Sequence, residues 1–337
     1  MALTPEQVHD LAVSHRIGLS RYSTAVVRRT LAVINRTEKA VLARLADAGL
    51  TAFQRLRDEQ LLAEVRTIQV AGWAEIRRRL TTDFAELAAN EVEFAQRLLG
   101  VPVVQVGVFS GAPTLEQVIA AANARPFSGR VLADWFIDAE RATVARVREV
   151  IKQGIVEGQT IDQMTRALRG TRAMQYRDGL LETTRRRAET LVRTAVTHVA
   201  NVAQQQMFEA NADIVLGVIW TSTLDLRTSS VCQARSEKVY PINSGPRPPA
   251  HPNCRSVMRP KVAAIPGVAP FTPKSYSEWL KGQDAEVQDD LLGPTRGALF
   301  RRGGLDVDRF VDSKGQTLTI EALRKRDLDA FRKAGLE

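Results

Sequence analysis

The sequence predicts an α-rich α+β fold: a long N-terminal helical hairpin, then a helical domain with a small mixed sheet around a hub of Pro, Cys and His. Three observations predict it. Apolar residues recur at helical spacing along most of the chain. Strand-like runs of β-branched residues are few and short. The stretch from Trp220 to Pro260 holds both cysteines, one of the four histidines and six of the fourteen prolines, whereas nearly everything before it reads as charged amphipathic helix.

Thr4, Pro5 and Glu6 make a helix start, with a side-chain oxygen for a free backbone N–H and a proline where its missing donor costs nothing. Val8, Leu11, Ala12, then Val27, Leu31, Ile34, then Val41, Leu42 and Leu45 carry this helix to about Ala46, with a break placed near Gly18. Asp47-Ala48-Gly49 stops it, and Thr51 caps a second run through Leu56, Leu61, Val65, Trp73, Leu80, Leu87 and Leu98. Two long helices and a short turn form an antiparallel hairpin. Its charged back, with Arg77-Arg78-Arg79, reads as a bundle surface or as a docking arm.

From Val101 to Phe109 the valines, bounded by Gly and Pro, predict a short strand or extended linker. Thr114 caps a helix through Leu115, Val118 and Ile119, and Arg125 to Gly129 interrupts the chain before a helix from Val131 to about Gly158. Thr160-Ile161-Asp162-Gln163 caps the next, ending at Gly170. Helical spacing returns from about Leu180 to Ala210, and His198 on it reads as a packing residue. Ile214 to Trp220 arrives like a strand. After the hub come a linker from Lys261 to Lys274, a helix from Ser275 to Leu292, a turn at Lys314-Gly315, a strand at Thr317-Leu318-Thr319 and a terminal helix through Leu323, Leu328 and Phe331. The chain thus divides into residues 1–100, a long-helix region for protein contact, 101–265, a core with the hub at 220–260, and 266–337, a linker and helical tail.

At 337 residues, with 44% hydrophobic and 25% charged content, the chain suits two domains of ordinary globular protein. The balance of 47 Lys plus Arg against 38 Asp plus Glu gives a net charge of +9, which attracts polyanions, nucleic acid first. Both signs are interspersed, so solvated helix faces are the competing reading. No stretch approaches the ~18 consecutive apolar residues of a membrane span, and MALTPEQVHD lacks a basic-then-apolar signal pattern, so synthesis and retention in cytoplasm are expected. Two cysteines argue against a disulfide-built secreted fold. No repeat and no low-complexity tract is present.

Within the hub the order of residues is specific: Trp220, Asp225, Arg227 and Thr228, then Cys232, then Tyr240, then Pro248-Pro249-Ala250-His251-Pro252-Asn253-Cys254-Arg255. Upstream, Arg187, Ala188, Arg193, Thr194 and Asn201 recur in helical register, and downstream stand Trp279-Leu280, Leu292-Gly293-Pro294 and Phe310-Val311-Asp312. Together these resemble the phage head-morphogenesis family, the Mu F-like minor head proteins, whose pattern is R-A-x-x-x-x-R-T-x-x-x-x-x-x-N, then W-x-x-x-x-D-x-R-T, then P-P-x-H-P-x-C-R. The resemblance covers roughly Phe127 to Leu323, and residues 1–100 match only in being helical. Family members often end the last motif Cys-Arg-Cys, whereas this chain has Ser256, so no role of that cysteine carries over. The resemblance implies a minor head protein of a tailed phage, in low copy in the virion at the capsid interior or portal vertex. It implies the portal protein, other head proteins and non-specific double-stranded DNA as partners, head assembly as the role, and exit with the DNA on ejection as a further one.

For chemistry, His251-Pro252-Asn253-Cys254 has the H-x-x-C spacing of a zinc half-site, and Cys232 can supply a third ligand. The fourth is missing, with Asp225 and Glu237 nearest. The alternative is that the prolines fix an extended loop, His251 donates to a carbonyl and the cysteines pack as small apolar groups. Asp225 and Arg227, two apart after a strand end, suit a buried pair or a turn cap with Thr228, and with Trp220 and Arg255 they frame the hub. No G-x-S-x-G, H-E-x-x-H or Walker loop occurs, so an enzyme is not expected. A metal-dependent nuclease using Asp225, Glu237 and His251 is the alternative from another class, and a DNA-binding module unrelated to phage is a third. The nucleic-acid candidates are Arg172, Arg177, Arg185, Arg186 and Arg187, which serve equally as helix surface.

Overall fold

The structure, a computed structural model, describes residues 5–48, 55–106, 111–262, 272–313 and 315–336. Two helices dominate the N-terminal part, α1 (Pro5–Ala46) and α2 (Arg55–Val106). Their partners run in opposite directions along the chain: Tyr22 donates to the carbonyl of Asp83, Arg29 pairs with Asp83, Arg36 with Glu75 and Arg44 with Glu64. The expected antiparallel hairpin is therefore present. Gly72 allows a close approach of the two helices, since a Cβ there would lie 2.2 Å from the Thr37 hydroxyl.

Two expectations for this region are corrected. Helix α1 runs unbroken through Gly18, because one glycine costs only about 1 kcal/mol in a helix interior and the buried Ala12 and Leu19 on either side hold the helix in place. Residues 101–106 continue α2 and form no strand. Extending a packed helix by a turn costs less than starting a new element, and β-branched preference is too context-dependent to reverse that. The Thr51 cap, Val108, Phe109 and Lys314 lie outside the described residues.

The chain then forms α3 (Leu115–Ala124), α4 (Leu132–Val156), α5 (Ile161–Arg169) and α6 (Leu180–Ala210). Thr160 and Gln163 cap α5 reciprocally, as their spacing predicts. A small sheet follows, β1 (Val215–Thr221), β2 (Val239–Tyr240) and β3 (Val257–Val262), in the order β2-β1-β3 and antiparallel throughout, with α7 (Ser230–Arg235) between β1 and β2. The remainder is α8 (Tyr276–Lys281), α9 (Ala285–Leu292), α10 (Pro294–Arg301), a 3₁₀ turn at Val307–Phe310, α11 (Ile320–Arg326) and α12 (Leu328–Ala334).

Three C-terminal expectations also change. The single helix over 275–292 is two, divided where Gly282 ends α8 and Asp284 begins α9. The strand at 317–319 reduces to one bridge between Val311 and Thr317. The terminal helix splits at Asp327, whose backbone is non-helical and whose carboxylate is held by Arg309 and Arg326.

The described residues fall into two compact units. One comprises residues 1–17, 91–114 and 203–337 and the other 18–90 and 115–202. The first has a core of Leu99, Phe208, Val218, Trp220, Cys232, Cys254 and Met258 and a second cluster around Tyr276, Leu299 and Phe331. In the second unit Leu45, Val65, Ile151, Met164 and Leu168 pack together. Among the described residues no helix is long and apolar enough to cross a membrane.

Candidate metal centre

Strand β1 delivers Trp220 fully buried into the core of its unit, with the Arg235 guanidinium 5.0 Å from the indole centre. Its neighbour β3 pairs Thr221 with Val257, which brings the end of the Pro-rich arm beside the end of β1. Gly217 admits the other neighbour, because a Cβ there would meet the Tyr240 carbonyl at 2.8 Å.

Beyond β1 the chain turns, and Asp225 fixes the turn. Its carboxylate accepts from the Arg227 backbone N–H and the Thr228 hydroxyl, both at 3.1 Å, and takes both arms of the Arg255 guanidinium at 2.6 and 2.7 Å. A bidentate fork of this kind fixes orientation as well as charge. The Arg255 fork and these hydrogen bonds hold the Asp225 carboxyl down at about 2, against the opposing effect of partial burial. The one Thr228 hydroxyl proton is shared with the Thr223 carbonyl, 2.6 Å away, and the Tyr276 hydroxyl donates to the Asp225 carbonyl at 2.8 Å. Arg227 itself is exposed. Thus Asp225, Thr228 and Arg255 lock two arms that are thirty positions apart in sequence. Arg16 of α1 belongs to the same unit and lies close enough to feel the charges of Arg255 and Asp225, although burial dominates its downward shift.

The second lock is the cysteine and histidine cluster. Helix α7 presents Cys232, whose sulfur lies 3.2 Å from His251 Nε2 and 3.7 Å from the Cys254 sulfur. The ligand-capable atoms of Cys232, His251 and Cys254 all lie within 4.8 Å of one another. A tight turn joins the latter two: the Cys254 N–H donates to the His251 carbonyl at 3.1 Å, Pro252 fits the first inner position and Asn253 takes the second with φ of 58°. Asn tolerates that left-handed geometry better than most residues. His251 Nδ1 donates to the Pro252 carbonyl at 2.8 Å, which leaves Nε2 directed at the sulfurs.

Electrostatics suit the same reading. The Cys232 thiol is pushed up by its hydrogen bond to the Cys254 sulfur and by burial, whereas Cys254 is pulled down to about 4 by the Cys232 hydrogen bond and by His251. These effects favour loss of a proton from one of the two sulfurs, and the thiolate is the form that metals bind. His251 is raised chiefly by its hydrogen bond with Cys254. Two thiols and an imidazole converging in a largely dry site fit the donor set of zinc.

The carboxylates expected nearby do not join this cluster. Asp225 is engaged by Arg255, and Glu237 pairs with Arg259 on β3. The group that a nuclease would need, Asp225 and Glu237 with His251, is not gathered among the described residues, where the metal-capable cluster is Cys232, His251 and Cys254.

Sequence reasoning missed Arg247. Its guanidinium donates to the carbonyls of Pro241, Ile242, Ser244 and Pro246 and to the Gln205 side chain. A segment whose prolines carry no N–H leaves carbonyls unserved, and a lone arginine inside P-R-P-P is the signal that could have located the clamp.

The basic candidates divide. Arg172, Arg177, Arg186 and Arg187 are exposed, but Arg185 is half-buried and pairs with Glu38 and Glu182, and Arg186 shares Glu182. His198 is buried on Phe127 and bonds the Ala122 carbonyl at 2.9 Å, and burial lowers its pKa, so it is a neutral packing residue. Burial raises the Glu38 carboxyl to about 7 in spite of Arg185. A raised carboxyl pKa stabilises the fold while protonated, so its contribution is complete below the ordinary value of 4.5 and is lost as pH rises through about 7. The wild type should therefore lose thermal stability from about pH 5 to about pH 8 more steeply than Glu38→Gln. Parallel pH profiles would remove Glu38 from the titration.

Residues 145–259 match the family model described as Phage Mu protein F like protein. Over that segment, about a third of the chain, it is similar to Phage Mu protein F like proteins. The matched residues include the hub from Trp220 through Asp225, Cys232 and His251 to Arg255, together with the second half of α4 and all of α5 and α6. No curated protein and no solved structure matches the chain.

Proposed function

We propose that this Mu F-like chain is a minor head protein of a tailed phage, a non-enzymatic structural component associated with the portal and with internal DNA, acting in head assembly and in DNA ejection. The observation that carries the reading is the family match over residues 145–259, which contains the hub that organises its unit. In this reading the hub binds one zinc ion through Cys232, His251 and Cys254, residues 101–265 are the family core, and 266–337 form a tail. The exposed back of the long helices in 1–100 makes the main protein contact.

Ala95 and Leu99 of α2 share the hydrophobic core of Trp220, so removing residues 1–100 would also remove part of the hub's own support. Charge reversals at exposed Arg28 and Arg78 are the cleaner test. The variants should fold normally yet be lost from assembled heads and from pull-down with the portal protein. Normal incorporation into heads would remove this surface as the contact.

Contact with double-stranded DNA is expected to be weak, independent of sequence and salt-sensitive, since cations on the protein release counterions from phosphates. Arg185 is committed to Glu38 and Glu182, which supports a footprint on exposed Arg172, Arg177 and Arg187. Changing those three to alanine should flatten the log-log salt slope by up to about three contacts' worth, at roughly 0.9 per phosphate. An unchanged slope excludes them.

A further inference from the structure

The zinc reading leaves a coordination position to account for. A structural zinc ion takes four ligands. Both cysteines of the chain are already in the cluster, and the other three histidines are elsewhere: His15 bonds Glu91, His198 bonds the Ala122 carbonyl, and His9 lies near Arg259 and Arg16. The carboxylates nearest in sequence are held by arginines, Asp225 by Arg255 and Glu237 by Arg259.

Two hydroxyls stand at the cluster instead. Ser256 is 2% exposed, and its side chain stands beside the Cys232 sulfur. Ser229 stands beside the same sulfur, and its hydroxyl oxygen is buried. Ser229 precedes α7, which carries Cys232, and Ser256 follows Cys254 by two positions at the start of β3, so the two hydroxyls approach from opposite arms of the hub. A neutral hydroxyl is a far poorer zinc ligand than a thiolate or an imidazole.

We propose that the hub is a three-ligand metal centre, Cys232, His251 and Cys254, whose fourth position faces the Ser256 and Ser229 hydroxyls and is open to a small exogenous ligand. The inference rests on the zinc reading above and assigns Ser256 as the residue that keeps the centre open. An open centre exchanges its metal more readily than a closed four-ligand site. With two thiolates the bound dication is neutral overall.

The test uses the full-length protein loaded with Co²⁺, whose visible spectrum reports ligand number and thiolate count, with azide as the exogenous probe. Azide should change the wild-type spectrum. Ser256→Cys should add thiolate-to-cobalt absorption, cease to respond to azide, and hold zinc against a chromophoric chelator about tenfold or more tightly than wild type. If wild type binds one Co²⁺ but ignores azide, the open position is refuted while the zinc reading stands. Should Ser256→Cys fold and bind metal without a third thiolate signal, Ser256 is not at the fourth position and the assignment fails. If wild type binds no Co²⁺ or Zn²⁺ at all, the zinc reading falls first and this inference with it. The wild-type azide response decides the question even if Ser256→Cys does not fold.

Discussion

Replacing Trp220 with alanine is expected to cost about 3–5 kcal/mol, the usual range for removing a large aromatic from a packed interior. The indole is fully buried among Leu99, Phe208, Val218, Cys232, Cys254 and Met258, so its loss opens a cavity at the point where β1, α7 and the Pro-rich arm converge. Its Nε1 is buried and makes no hydrogen bond among the described residues, so the contribution comes from packing and from the Arg235 stack at 5.0 Å. Trp220→Phe should therefore cost much less than Trp220→Ala, since it keeps a ring and removes an unsatisfied donor. Urea unfolding of both variants measures this. A Trp220→Ala cost under about 1 kcal/mol would show that the core is not centred on the indole.

Cys254→Ser is expected to have the second large effect, and through the metal. Protein purified without chelator should carry about one zinc per chain, because binding energy at a site absent from the unfolded chain becomes folding energy. Cys254→Ser should lose that zinc, and its thermal midpoint should fall to that of chelator-treated wild type. Chelator should then leave the variant unchanged. The alternative, cysteines packing as small apolar groups, predicts negligible metal in the wild type and a cost of only about 1–2 kcal/mol for the same substitution. Metal analysis and thermal unfolding together separate the two outcomes.

Much of the architecture was legible because local chemistry repeats itself. The 3.6-residue spacing gave the long helices, and Thr160 with Gln163 gave the start of α5. The apolar run before Trp220 gave β1. Errors fell where a local preference met a larger context. The valines after Gly100 favour a strand, yet residues 101–106 extend α2. Gly282 and Asp327 each divided what one apolar period read as a single helix.

At the hub, the sequence by itself singled out the H-x-x-C turn, the turn at Asp225 and Thr228, and Cys232 on a separate arm, while it offered Arg227 and not Arg255 as the partner of Asp225. Residue type and short spacing decide a turn, and Pro252 followed by Asn253 suffices to bring His251 and Cys254 to one point. What lies across the hub could not be read that way. Only the tertiary structure placed Cys232 beside both, removed Asp225 and Glu237 from the candidate ligands by giving each an arginine, and set Ser256 against the Cys232 sulfur. It also committed Arg185 to Glu38 and Glu182 and revealed Arg247 as the clamp of the Pro-rich arm. The reason is physical: the pairing of two charges or two ligands depends on distance in space, and between arms some twenty to thirty residues apart that distance is fixed by the β1–β3 register and the packing around Trp220, not by local preference.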